Sequence, residues 1–129
     1  MRNIDPGNVI HDFEKLEIPL IDKLFRIYVM THRIIFSFPK FERYTLGEKF
    51  EEKILEAVES IIIANGSGVL EKDRMLQRVN AKIELLKQLL CLAQNCNLVD
   101  IQQFLELSRE ISTAGKMTQG WIKYTRNRS

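Results

Sequence analysis

Apolar residues recur along this chain at steps of three and four, and no segment alternates long enough to make a strand. Pro19 suits the first turn of a helix, where its missing N–H costs nothing. From there Ile21, Leu24, Tyr28, Thr31 and Ile35 form one stripe, which stops at Phe38-Pro39. Thr45-Leu46-Gly47-Glu48 has the spacing of a capping box with Thr45 as cap. Behind it Phe50, Ile54, Ala57, Val58, Ile61 and Asn65 form a second stripe, closed by the turn cluster Asn65-Gly66-Ser67-Gly68. Leu76, Val79, Ile83, Leu86, Leu90, Ala93 and Asn97 make the third. Asp100-Ile101-Gln102-Gln103 repeats the capping logic, and Ile101, Phe104, Ser108, Ile111, Gly115, Thr118 and Ile122 follow at heptad spacing. The pattern predicts an all-α, antiparallel up-down four-helix bundle. It spans residues 18–124, with an N-terminal extension at 1–17 and a basic C-terminal tail at 125–129.

The third helix carries more apolar surface than a lone bundle needs. On a wheel of about 100° per residue, Leu85, Leu89, Leu92 and Cys96 form a second stripe roughly 100° from the main one. That stripe must meet either a neighbouring chain or residues 1–17 folded over it. Ser108, Ser112 and Gly115 keep one face of the fourth helix small enough for close approach. Leu85, Leu89 and Leu92 are therefore the expected oligomer interface.

Composition narrows the class. A chain of 129 residues, 45% hydrophobic and 28% charged, fits one soluble domain. The longest apolar runs, 61–64 and 89–93, fall far short of a membrane span, and the first residues lack the apolar core of a signal peptide. A cytoplasmic protein without a membrane partner is expected. Two cysteines without an export signal suit a reducing compartment, and Cys91 and Cys96 diverge on one helix.

Catalytic chemistry finds no foothold. A di-metal bundle needs Glu-x-x-His pairs, and neither His11 nor His32 follows a glutamate by three. The two cysteines lack a second ligand pair for zinc. The Gly66-Gly68 turn lacks the Lys-Ser/Thr of a phosphate loop. A Cys–His dyad through His32 is weaker than an inert surface histidine, and Glu48, Glu52, Glu56 and Glu59 read as a solvated face. The expectation is no enzyme, no cofactor and no metal.

Charge is distributed unevenly. The formal net charge is +2, yet residues 18–44 carry +3, residues 45–68 carry −3, residues 69–97 carry +2 and residues 116–129 carry +4. Arg74, Arg78 and Lys82 stack at i, i+4 and i+8, in line with the second apolar stripe. They suit a phosphate backbone or an acidic protein surface. They also match Glu59, Glu56 and Glu52 as ion pairs, which would need another subunit because those glutamates point away from their core. The tail interleaves Trp121 and Tyr124 with Lys123, Arg126 and Arg128, as polynucleotide-binding segments do. Cations at a helix C-terminus also answer the helix dipole. With Arg33 on the back of the first helix, these seven cations are the candidate contacts to RNA, DNA or an acidic protein surface.

Three stretches carry a family likeness. Phe38-Pro39-Lys40-Phe41-Glu42-Arg43-Tyr44-Thr45-Leu46-Gly47 resembles the link between the first two helices of a bacterial four-helix-bundle family. That family joins the accessory variability determinant of diversity-generating retroelements to the intervening-sequence protein of large-subunit ribosomal RNA genes. The run 85–93, Leu-Leu-Lys-Gln-Leu-Leu-Cys-Leu-Ala, is similar to its third helix, and 114–123, Ala-Gly-Lys-Met-Thr-Gln-Gly-Trp-Ile-Lys, to its close. The resemblance implies a homopentameric barrel without catalytic activity that binds reverse transcriptase and RNA and assists mutagenic copying. The modest charge departs from the strongly basic accessory proteins. It leaves open the alternative of an intervening-sequence-type interaction protein with no polynucleotide ligand.

Overall fold

The computed structural model describes the backbone of residues 8–127 and the side chains of residues 17–127. The described residues form four long helices and no strand: α1 (Asn8–Ile35), α2 (Glu48–Asn65), α3 (Val69–Asn95) and α4 (Ile101–Asn127). Helix α2 packs against α1 and α3, and α4 against α3 and α1, which closes a square bundle.

Helix α1 buries Leu20, Leu24, Ile27, Thr31 and Ile35, with Ile21 and Tyr28 at the edge of the core. Pro19 lies inside this helix rather than opening it. A proline there costs about 3 kcal/mol, and the apolar face beyond it is long enough to carry the helix through. Burial of each large aliphatic side chain contributes roughly 1.5–3 kcal/mol. The structure of residues 1–7 and the side chains of 8–16 lie outside the described residues, as does any cover they lay on the second stripe.

The link departs from the sequence expectation. After Phe38, Pro39 takes an extended ψ of 151° and starts a helix at once. One α turn, Lys40–Glu42, leads into a π-helical turn, Arg43–Gly47, which runs unbroken into α2. Thr45 is therefore interior and not a cap; its Oγ1 donates to the Phe41 carbonyl at 3.1 Å. The Pro39 stop precedes Thr45 and already supplies the helix start. Gly47 is buried where the link crosses α1: a Cβ there would lie 2.8 Å from Ile35 Cγ2.

The other two turns follow the sequence closely. Gly66 and Ser67 N–H groups donate to Ile63 and Ala64 carbonyls, and Ser67 Oγ donates to the Ile63 carbonyl at 2.7 Å. Helix α3 ends at Asn95, so Asn97 is not on its stripe. It takes φ 59°, while the Leu98 N–H donates to the Ala93 carbonyl and the Asn97 N–H to the Gln94 carbonyl. This is a Schellman end, with asparagine tolerating the left-handed position. Helix α4 opens on the expected capping box.

Its buried face, however, is Leu107, Ile111, Ala114, Thr118, Trp121, Ile122 and Thr125. Ile101 is exposed, and Phe104, Ser108 and Gly115 are only partly buried. The core-facing alternation turns on Leu107, Ala114 and Trp121 because the tryptophan, the largest apolar side chain available, has to be buried.

Candidate nucleic-acid and subunit surfaces

The expected basic row is real as a line of positions but not as a row of unpaired charge. Lys82 Nζ lies 2.9 Å from Glu56 Oε1, and Lys53 Nζ reaches the same oxygen at 3.1 Å. Lys82, then Lys53, holds the Glu56 carboxyl below the usual carboxylate range, and Glu56 in turn raises the Lys53 ammonium. This corrects the expectation that such pairing needs a second subunit: Glu56 and Lys82 face each other across the α2–α3 seam of one chain. Arg78 stays exposed on the rim of a hollow of about 350 Å³ shared with Glu56, Glu59 and Lys82. Arg74 is highly exposed and 3.8 Å from Glu71 on its own helix, a separation at which an exposed pair contributes little.

The C-terminal cluster is divided in the same way. Arg126 grips Asp73 of α3 with Nε at 2.8 Å and Nη2 at 3.4 Å, which raises its already high pKa. Lys123 is exposed. Arg128 lies outside the described residues. Trp121 is only 4% exposed and Tyr124 packs against the core. The interleaving of rings and cations in the tail is thus a buried stripe with a charged back, and its rings are not offered to bases. Arg33 is exposed on α1, at the opposite end of the bundle from Arg126.

On the second stripe of α3, Leu85 and Leu92 are exposed while Leu89 packs against the core. Part of the cover comes from the link: Tyr44 and Leu46 line a groove of about 580 Å³ with Leu89 and Leu92. Cys91 and Cys96 are exposed free thiols.

A second apolar flank was not read from the sequence. His32 Nδ1 and Glu51 Oε2 meet at 2.6 Å and pin α1 to α2. Phe25, Val29 and Phe36 lie at helical spacing from His32, as Leu55 and Ile62 do from Glu51, and all five are exposed. His32 stacks on Tyr28, with ring centroids 6.0 Å apart, and meets Phe36 edge-on at 5.3 Å. The signal lay in the steps 25, 29, 32, 36, which sit beside the stronger core stripe. The described residues hold no group of three or more histidine, cysteine or carboxylate side chains arranged for a metal. None of their helices is long and apolar enough to cross a membrane.

Comparison with known proteins bears on what such surfaces serve. A family model described as bAvd-like matches residues 20–125, nearly the whole bundle. A comparison with curated proteins gave no match.

Proposed function

The chain belongs to the bAvd-like family, and from that membership we propose a non-catalytic accessory protein that self-assembles and binds the reverse transcriptase and RNA of a diversity-generating retroelement. The family match across the bundle carries the reading. Self-assembly is supported by two exposed apolar flanks, Phe25, Val29, Leu55 and Ile62 on α1–α2 and Leu85 and Leu92 on α3. Two different faces on one chain suit head-to-tail contacts that close into a ring, with five copies expected from the family likeness. RNA contact is assigned to exposed cations, with Arg33, Arg78 and Lys123 ahead of Arg74, Lys82 and Arg126, which have carboxylate neighbours.

The experiment is co-expression with a reverse transcriptase encoded beside this gene, followed by co-purification and salt-dependent retention on single-stranded RNA. A shared complex is expected, with log affinity falling on log salt by about 0.7 per phosphate neutralised. A gene neighbourhood without a reverse transcriptase, or no complex with the one found, overturns the reading. The second reading, a self-assembling interaction protein without a polynucleotide ligand, is favoured by the intrachain pairs of Lys82 and Arg126. It predicts a stable oligomer that RNA does not retain.

A further inference from the structure

We infer that the α1–α2 link is the stacking platform for single-stranded RNA, an inference that rests on the accessory reading above and assigns its RNA contact to a place. Phe36, Phe41 and Tyr44 are 66%, 73% and 65% exposed, the most exposed aromatic side chains among the described residues. Phe41, in the α turn, and Tyr44, in the π turn, stand three apart on the helical link, with Tyr44 at the groove that it lines with Leu89 and Leu92. Arg33, Lys40 and Arg43 are interleaved with these rings and form no ion pair among the described residues; Arg43 Nε donates instead to the Phe38 carbonyl at 3.1 Å. Residues 33–48 hold these three cations against Glu42 and Glu48, an excess of one, and the groove beside Tyr44 adds one further cation and one further acid, Lys49 and Glu52.

Exposed rings alone would suit a second copy of the chain equally well. The cations decide between the two. Burying Arg33, Lys40 and Arg43 in an apolar subunit contact would remove three charges from water without partners, which is costly. An unpaired RNA strand answers both features, since its phosphates take the cations and its base faces take the rings. A duplex does not, because its base faces are already stacked. The tail, where the sequence interleaves aromatics with cations, cannot do this, since Trp121 is buried. The two places lie at opposite ends of a bundle about 40 Å long, taking 1.5 Å per residue over the 27 residues of α3.

The test uses the full chain and a fluorescein-labelled, unstructured RNA oligonucleotide, with the matching duplex as control, read by anisotropy. The unmodified protein is expected to prefer the single strand. Phe41→Ala with Tyr44→Ala is expected to weaken it by tenfold or more, at unchanged oligomer mass and helicity. Because Trp121 is buried, Phe41→Trp places a solvent-facing indole whose fluorescence the single strand should quench. If the double variant binds like the unmodified protein, the platform is wrong and the accessory reading stands. If the double variant loses its oligomer mass, the rings are a subunit contact and the inference falls. If the unmodified protein binds no RNA, the platform and the RNA part of the accessory reading fall together, while reverse transcriptase co-purification judges the remainder.

Discussion

Glu56 and Lys82 form an ion pair at 2.9 Å within one chain, across the seam where α2 and α3 run antiparallel. Lys53 joins the same carboxylate, so two cations share one acid in the middle of the surface where the sequence places a row of unpaired positive charge.

The pair has a pH signature. The Glu56 carboxyl is depressed in the folded chain, chiefly by Lys82. Its contribution is full above the ordinary glutamate pKa and is lost as pH falls through the lowered folded value. Urea midpoints for the unmodified protein and Lys82→Met should therefore differ near neutral pH and converge as the medium becomes strongly acidic. A difference that stays constant with pH would remove the pair from the stability account.

The two expected caps should part company. In the α4 box, Asp100 Oδ1 accepts from the Gln103 N–H at 2.8 Å and Gln103 Oε1 accepts from the Asp100 N–H at 2.9 Å. Asp100→Ala should cost about 0.5–2 kcal/mol in denaturant titration. Thr45→Ala, which removes only a bond to the carbonyl four residues earlier, should fall within about 0.5 kcal/mol of the unmodified protein.

Gly47→Ala should destabilise, although Gly47 has ordinary helical angles and alanine is the better helix former by about 1 kcal/mol. The new methyl would press on Ile35 Cγ2 at 2.8 Å and the Glu42 carbonyl at 3.3 Å. Ile35 is buried and stiff at its branch point, so the net loss should be about 1–2 kcal/mol. In an Ile35→Ala background the same change should cost less, a coupling that a double-mutant cycle measures.

Assembly is best probed at exposed positions. Leu89 packs partly against the core, so Leu89→Glu would confuse folding with association. Leu92, 48% exposed, and Phe25, on the opposite flank of α2, are clean sites. Leu92→Glu and Phe25→Glu should each lower the mass seen by light scattering while leaving helicity unchanged. Only one of the two doing so would mean that the other flank faces solvent in the assembly.

The four helices were legible because their core stripes hold a three-four alternation over many turns, and the Asn65–Gly68 and Asp100–Gln103 signals stand in open sequence. Thr45 misled because a capping pattern is local, while the helix start is decided by Pro39 six residues earlier. The phase of the fourth helix is weakly marked in the sequence, since Ser108 and Gly115 carry little hydrophobic weight, and the burial of Trp121 settles the rotation. The basic residues were visible as types and spacings. Which of them spend their charge on a neighbour depends on how α2 and α3 face each other, and α4 and α3 likewise, which no single helix records.

The π turn at Arg43–Gly47 has a consequence for how this chain can change. A π turn holds one more residue than an α turn, so it acts as a phase shifter between the residues before it and those after it. Phe41 and Tyr44 can be re-aimed by about 100° through loss of a single residue there, with Phe50 and Ile54 still seated in the core. What the bundle displays at this end thus depends on the number of residues in that turn, within the limit that Leu46 and Gly47 keep their seats against the core and Ile35.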